Sequence, residues 1–391
     1  MTHHYKVGML FFLLTFLVIY GGMHWYIFIK IKNAIPLASR GKLVLALFML
    51  IMVFAPIIIR ILEKAGYEFM ARLMAYTGYT WTGLAFLFVS VAILFDVSRV
   101  FIRVAGLIAG RQLAFLMPSH VLIFSVASVC AAVILSIGYF EAQNIRTERI
   151  VLTTSKIPAS IGRLTIVQIS DVHLGLIVGE RRLAGILGKV ARLNPDILVS
   201  TGDLIDGQIC DIDRLIEMFN ALNPPYGKFA VTGNHEFYAG LSDALNCTEK
   251  SGFTILRNEG ISIPGLINIV GVDDPTARRY ENRRQTPERD LLRRYPREQF
   301  TLLLKHQPVV NPDSLGFFDL QLSGHAHKGQ IFPFTLLVRL RYPHIAGHYI
   351  FPKNSHLYVS RGTGTWGPPM RFMAPPEVTV IEIVHECAHR Q

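Results

Sequence analysis

The 391-residue sequence predicts a four-helix transmembrane region followed by an α/β domain with two β-sheets. Three observations carry this. Hydrophobic residues make up 51% of the chain, and the excess is gathered in the first 140 residues. Four apolar runs there approach the ~20 residues that a bilayer-spanning helix needs. After residue 145 the pattern changes to short β-type runs, the early ones alternating with helical segments.

The predicted spans lie near 7–29, 43–59, 79–95 and 121–140, each with Lys or Arg close by, such as Lys6, Lys30, Lys42, Arg60 and Arg99. A cleaved signal peptide is disfavoured for the first, because its apolar core is too long and three more spans follow. Residues 101–117 carry Arg103 and Arg111 and read as an interfacial helix. His24 falls inside a span, where an ionisable residue can be functional, or sits near enough to the span's end to reach the interface. Residues 1–140 hold 11 Lys/Arg against 3 Asp/Glu, so most of the net charge of +11 belongs to the apolar region. That argues for membrane flanks and against a nucleic-acid groove. Counting basic flanks gives no orientation, with seven on either side. The basic C-terminal flank of the first helix favours an exterior C-terminal domain. The expected location is the cell membrane, multi-pass, in a bacterial inner membrane. None of the four cysteines form a CxxC pair, which leaves the redox compartment open.

Beyond this 1–145 region, strands are predicted at 164–170, 197–200, 229–232, 267–272, 300–305, 318–322, 357–360 and 378–384. Helices are predicted at 180–193, 211–222 and 238–251. Residues 278–298, with eight Arg against four acids, read as a solvated excursion. The segment IFPFTLLVRLRYP, 331–343, reads either as an ordinary strand pair or as a lip dipping into a lipid interface, with Arg339 and Arg341 meeting phosphates.

Five strands end in a metal-capable residue. TIVQIS runs into Asp171 and His173, and ILVS into Asp203 and Asp206. FAVT runs into Asn234, His235 and Glu236, FTLLLK into His306, and FDLQLS into His325 and His327. Ligands of α/β sheets bind at the carboxyl ends of strands, so residues more than 150 positions apart can share one cleft. Carboxylate, imidazole and amide oxygen together suit Mn, Fe, Zn or similar divalent ions. A pair of ions ~4 Å apart can stabilise both oxygens of an in-line phosphoryl displacement. Gly202, Gly233 and Gly324 precede these residues and tolerate the turns needed there.

On these motifs, and on SRGTGTWGPPMRFMAPPEV near the end, the chain resembles the calcineurin-like metallophosphoesterases over residues 148–384, within them the membrane-associated bacterial phosphohydrolases. The resemblance implies a 146–391 domain built as a β-sandwich flanked by helices. It implies two divalent metal ions. Asp171, His173, Asp203 and His327 would hold one; Asp203 as the bridge, Asn234, His306 and His325 would hold the other. His235 would protonate the leaving oxygen. The GHAHKGQ segment departs from the usual GHTHGGQ: Ala326 and Lys328 spare the ligands, and Lys328 adds a positive charge beside the substrate.

Asp206 and Glu236 are read as buttresses of the ligand loops, not as ligands, and Asp273 and Asp274 likewise. HECAH, 385–389, matches the zincin pattern but follows the last strand, not the helix it would need. His344, His348 and His356 read as surface or loop histidines. GTGTWG lacks the Lys-Ser/Thr of a P-loop and reads as a wall of the cleft. The functional expectation is hydrolysis of a phosphoester or pyrophosphate bond, with membrane lipids as surroundings, a phosphorylated substrate that is lipid-borne in the sharper reading, and neither nucleic acid nor a protein partner. The rival is a non-catalytic membrane sensor or scaffold that retains the fold, disfavoured because no ligand position is missing.

Overall fold

A computed structural model describes residues 3–207, 212–281 and 286–386. The chain divides into two compact units, Met1–Phe140 with Gly367–Phe372, and Glu141–Trp366 with Met373–Gln391.

The first unit holds α1 (His3–Ala34), α2 (Ser39–Lys64), α3 (Glu68–Ala109) and α4 (His120–Gln143) up to Phe140. All four contain stretches long and apolar enough to cross a membrane. At about 1.5 Å per residue, the 42 residues of α3 run well past a ~30 Å hydrocarbon core. The interfacial helix expected at 101–117 is therefore not a separate element. No glycine or proline interrupts residues 84–105, and α3 continues until Gly110, whose left-handed backbone (φ 62°) ends it. Polar side chains inside these helices pair with one another. Trp81 Nε1 donates to His24 Nε2 at 2.8 Å, and Tyr20 and Thr82 hydroxyls meet at 2.7 Å. Lys30 Nζ lies 2.5 Å from Asp96 Oδ1, and Tyr26 donates to the other Asp96 oxygen at 2.6 Å. His24 is buried among the helices and bonded there to Trp81.

The second unit contains two six-stranded sheets. In chain order its strands are β1 (Arg146–Thr154), β2 (Arg163–Ile169), β3 (Ile197–Ser200), β4 (Lys228–Ala230), β5 (Phe253–Ile255), β6 (Glu259–Ile263), β7 (Ile267–Val272), β8 (Phe300–Lys305), β9 (Leu320–Ser323), β10 (Gly347–Phe351), β11 (Ser355–Val359) and β12 (Glu377–His385). One sheet has the order β1-β12-β2-β3-β4-β5, the other β10-β11-β9-β8-β7-β6. β2 to β5 are mutually parallel, as are β7, β8, β9 and β11. The helices are α5 (Glu180–Arg192), α6 (Ile212–Asn220), α7 (Asn234–Ala239), α8 (Leu241–Lys250), α9 (Ala277–Tyr280), α10 (Glu288–Leu292) and α11 (Phe334–Arg341).

Alternation along the strands divides their side chains between two layers. Leu164, Ile166, Ile197 and Val199 join Ile267, Ile269, Leu302, Leu304, Leu320 and Leu322 in a core between the sheets. Their neighbours Val167, Ile169 and Leu198 turn the other way, onto Leu183, Ile186, Leu187 and Val190 of α5 and Leu215 and Phe219 of α6. The central strands are buried on both faces, so polar groups gather at their ends.

Three expectations change. The helix foreseen at 238–251 starts at Asn234 and breaks at Gly240 (φ 121°) into α7 and α8. The Arg-rich stretch is not wholly solvated, since Leu291 and Leu292 of α10 bury against Val270, Leu303 and Phe318; its residues 282–285 lie outside the described residues. The strand pair foreseen within 331–343 is instead α11, whose leucines and arginines are good helix formers.

Gly271 shows how closely the layers meet: a Cβ there would stand 2.3 Å from Leu256 Cβ and 2.7 Å from Val231 Cγ1. Gly271→Ala is expected to destabilise the domain by about 1–3 kcal/mol, as overpacking does, read as a lowered thermal midpoint of the full chain in detergent.

Candidate metal centre

The loops that follow β2 and β3 are stitched together through their backbones. Asp171 N donates to Gly202 O at 3.0 Å, His173 N to Asp203 O at 3.0 Å and Asp206 N to Leu174 O at 2.9 Å. The loops after β8 and β9 are joined by Gly324 N to His306 O at 2.9 Å. Among the Asp and His residues at these strand ends, five have left-handed backbones: Asp171, His173, Asp203, His325 and His327, with φ between 47° and 67°. Such residues cost of order 1–3 kcal/mol each and cluster where function demands a geometry.

Glycines make the approach possible. A Cβ on Gly324 would lie 2.0 Å from Ser170 Oγ and 2.1 Å from Asp171 Oδ2, and one on Gly233 would lie 2.1 Å from Asp203 Oδ1. Asp171 accepts from His325 N at 2.9 Å and from Ser170 Oγ at 2.5 Å. Asp203 Oδ1 accepts from His235 N at 2.8 Å. Glu236 accepts four backbone N–H groups, from Gly233 and Leu204 at 2.7 Å, Asp203 at 3.1 Å and Ile205 at 3.2 Å.

The side chains converge into three groups whose ligand atoms lie within 4.8 Å of one another: Asp171–His173–His327, His173–Asp203–His235 and Asp203–His306–His325. His173 Nε2 stands 3.1 Å from His327 Nε2, and His325 Nδ1 stands 3.2 Å from His306 Nε2. Asn234 Oδ1 is 3.3 Å from the same His306 nitrogen, and Asp203 Oδ2 is 3.1 Å from it. Thr201 O accepts from His306 Nδ1 at 2.8 Å, which turns Nε2 toward this ring of acceptors. An inward-facing set of acceptors requires positive charge. Carboxylate, imidazole and amide oxygen fit a divalent ion of the Mn, Fe or Zn kind. Among the described residues, the buried His173 Nδ1 has no hydrogen-bond partner.

The electrostatics express the same demand. Burial works against ionising Asp203, yet His306 and His235 outweigh it and hold its carboxyl well below the usual range. Burial works against the His306 imidazolium, yet Asp203 holds it well above its ordinary value. Burial and His235 push His173 down to about 3, and burial and His306 push His325 down to about 4. Burial and the Asp203 charge raise Glu236 to about 7. His235 is opposed by burial, but Asp203 and Asp206 raise it to about 9; Asp206 Oδ1 lies 2.5 Å from its Nδ1.

Among the residues singled out from sequence, Lys328 stands apart. It lies in the turn after His327 with φ 52°, and its ammonium makes no ion pair among the described residues. Asp273 and Asp274 sit one layer back, bonded to Thr232 and Gln307. His385 of the HECAH stretch is the last residue of β12, a strand; 387–391 lie outside the described residues. Sequence reasoning missed the chain Gln168–Thr201–Ser170 that leads to Asp171, with steps of 2.9 and 2.7 Å, since ordinary hydroxyls carry no motif. It also missed Tyr342, whose hydroxyl is 3.0 Å from His325 Nε2, and Tyr238, whose ring lies 5.5 Å from His235. Trp366 of the GTGTWG stretch stands 6.0 Å from His235, and Gly364 N donates to Asp171 O at 3.0 Å.

The profile of the calcineurin-like phosphoesterase family matches residues 164–329. A protein of Aquifex aeolicus (strain VF5) described as an uncharacterized metallophosphoesterase is 38% identical over 248 residues, 63% of this chain and 94% of its own. A Campylobacter jejuni protein of the same description is 34% identical, over 67% of this chain and 70% of that one. A Danio rerio protein described as a transmembrane protein with metallophosphoesterase domain is 33% identical, over 65% of this chain and 61% of that one. Among solved structures, a 5'-nucleotidase precursor from Thermus thermophilus is similar at a TM-score of 0.35 and 15% identity, covering 57% of this chain and 54% of that one.

Gly324→Ala is expected to displace the Asp171 carboxylate, given the 2.1 Å approach of a Cβ to its Oδ2. Elemental analysis of the purified chain should then find less metal than in the unaltered protein; full metal content would refute the close packing at Gly324.

Proposed function

The chain belongs to the calcineurin-like metallophosphoesterases, which are metal-dependent phosphoric ester hydrolases, and we propose on that premise that it is a multi-pass membrane enzyme with a dinuclear centre acting on phosphorylated lipid head groups. The observation that carries the dinuclear reading is Asp203. It belongs to two of the three donor groups, one shared with His173 and the other with His306 and His325. Asp171, His173, Asp203 and His327 would hold one ion; Asp203, Asn234, His306 and His325 would hold the other. A pair of ions there would supply Lewis acidity for an in-line displacement at phosphorus.

The protein's own groups account for the rest. His235 is held protonated by the Asp206 and Asp203 carboxylates against the cost of burial. It can therefore give its proton to the departing oxygen as hydroxide adds to phosphorus and the ester P–O bond breaks. Asp206, bonded to Nδ1, orients the ring. Glu236 keeps the Asp203 turn in place through the N–H groups it accepts. A second reading has a specific observation behind it: His235 also falls in a donor group with His173 and Asp203, which would make it a ligand. His235→Ala separates the two. As a general acid it should cost about 10²–10⁴-fold on an alkyl phosphoester and far less on a nitrophenyl ester, with metal content unchanged. Equal losses on both substrates with metal depleted would make it a ligand.

The lipid reading rests on α11. None of its residues are buried; Leu337 is 58% and Leu340 is 83% exposed, beside Arg339 and Arg341. Its first turn is tied to the turn after His327 through Thr335 Oγ1 to Lys328 O at 3.0 Å, and the residue that follows it, Tyr342, meets His325. An apolar helix with arginines adjoining both GHAH histidines suits a lipid surface bearing phosphates. Replacing Phe334, Leu336 and Leu337 together by Ser should depress hydrolysis of lipid phosphates in mixed micelles and leave hydrolysis of a soluble phosphodiester unchanged. Equal losses, or soluble nucleotides consumed far faster than any lipid, would overturn the lipid assignment while leaving the phosphoesterase one standing.

A further inference from the structure

The Tyr342 hydroxyl is one link in a hydrogen-bonded chain that ends on His325. Tyr342 closes α11, its N–H donating to Val338 O at 2.8 Å. Its oxygen lies 3.0 Å from His325 Nε2, and its hydrogen is donated to Gln307 Oε1 at 3.1 Å. Gln307 Nε2 donates to Asp274 Oδ2 at 2.8 Å, and the other Asp274 oxygen accepts from Thr276 N at 2.8 Å.

The direction of every link follows from the carboxylate. An ionised carboxylate only accepts, so Gln307 turns its NH₂ group to Asp274 and its carbonyl to Tyr342. A carbonyl also only accepts, so the single phenolic hydrogen is committed to Gln307. Toward His325 the phenol then offers lone pairs alone, and Nε2 has to be the nitrogen that carries hydrogen. In a neutral imidazole the lone pair is left on the other nitrogen. That atom, Nδ1, is the one facing His306 Nε2 at 3.2 Å, within the donor group of Asp203, His306 and His325.

We propose that Tyr342 is a positioning residue: it locks His325 in the Nε2–H tautomer, with Nδ1 presented for a divalent ion, and Gln307 and Asp274 lock Tyr342. This role rests on the reading of His325 as a metal ligand. It differs from simple packing because Tyr342 touches the ligand through one polar atom, and because Gln307, which is not bonded to His325, is required for the effect. Partners of this kind behind metal ligands are typically worth 10–100-fold in metal affinity.

The test is calorimetric titration of the metal-stripped full chain in detergent micelles with Mn²⁺ alone, beside the thermal midpoint of the metal-free protein. Tyr342→Phe keeps the ring and removes the oxygen. It is expected to weaken one Mn²⁺ binding event by about 10–100-fold, leaving the other event and the metal-free midpoint unchanged. Gln307→Met frees the phenolic hydrogen to turn toward His325 and favours the wrong tautomer, so it should weaken the same event. The double variant should be no weaker than Tyr342→Phe alone, because Gln307 acts through Tyr342. Wild-type affinity in Tyr342→Phe, losses that add in the double variant, or a loss that follows a lowered midpoint would overturn the proposal. If Tyr342→Phe does not fold, Gln307→Met decides alone: a weakened event at an unchanged midpoint supports the proposal and unchanged binding overturns it. An unaltered protein that binds no Mn²⁺ would overturn the metal reading of the site, and the positioning role with it.

Discussion

Two carboxylates taken wholly out of water govern this domain. Asp171 and Asp203 are each no more than 2% exposed, and an ion in such a place costs several kcal/mol unless it is paired and hydrogen-bonded. Every feature around them answers that cost. Asp171 receives a backbone N–H from His325 and the Ser170 hydroxyl; Asp203 receives the backbone N–H of His235 and the ring of His306. Burial alone would neutralise both groups, and the surrounding histidines prevent it. The site is organised around negative charge that must be met by positive charge.

The sandwich makes such a site possible by leaving it only one place to form. β2, β3, β8 and β9 are buried along almost their whole length, between a core shared by the two sheets and layers of helices outside. Polar chemistry is then confined to the residues after the strands. The turns there are too tight for ordinary backbone, hence the five left-handed Asp and His residues and the glycines that no side chain could replace. Cross-loop backbone bonds hold the turns in place, and Glu236 gathers four N–H groups that would otherwise be buried without partners.

The apolar helices of the first unit would meet a related constraint inside a membrane. Hydrocarbon offers no hydrogen bonds, so polar side chains within a helix bundle must find one another. Tyr20 with Thr82, His24 with Trp81, and Lys30 with Asp96 do so between α1 and α3. α11 is the opposite case, an apolar helix none of whose residues are buried, and its exposure is what distinguishes it from the helices that pack on the sheets.

The sequence by itself was enough for the four apolar helices, the two-sheet α/β class, and the strand ends where Asp, His and Asn follow apolar runs. Those features are local: hydropathy over a window, a period of two, a glycine beside a ligand-type residue. It also named Asp206, Glu236 and His235 but could not pair them, since the 2.5 Å contact of Asp206 with His235 and the four N–H bonds of Glu236 join different loops. The helix over 334–341 was not legible, because no buried stripe marks it and a short run of Leu, Val, Thr and Arg suits strand or helix alike. Tyr342 was invisible for a deeper reason. A tyrosine gains its meaning from the acceptor beyond it, and Gln307, Asp274 and His325 lie 35, 68 and 17 residues away in the chain. Which residue types can bind a metal is chemistry that the letters carry; which nitrogen of which ring faces inward is set by hydrogen-bond partners that only the folded chain brings together.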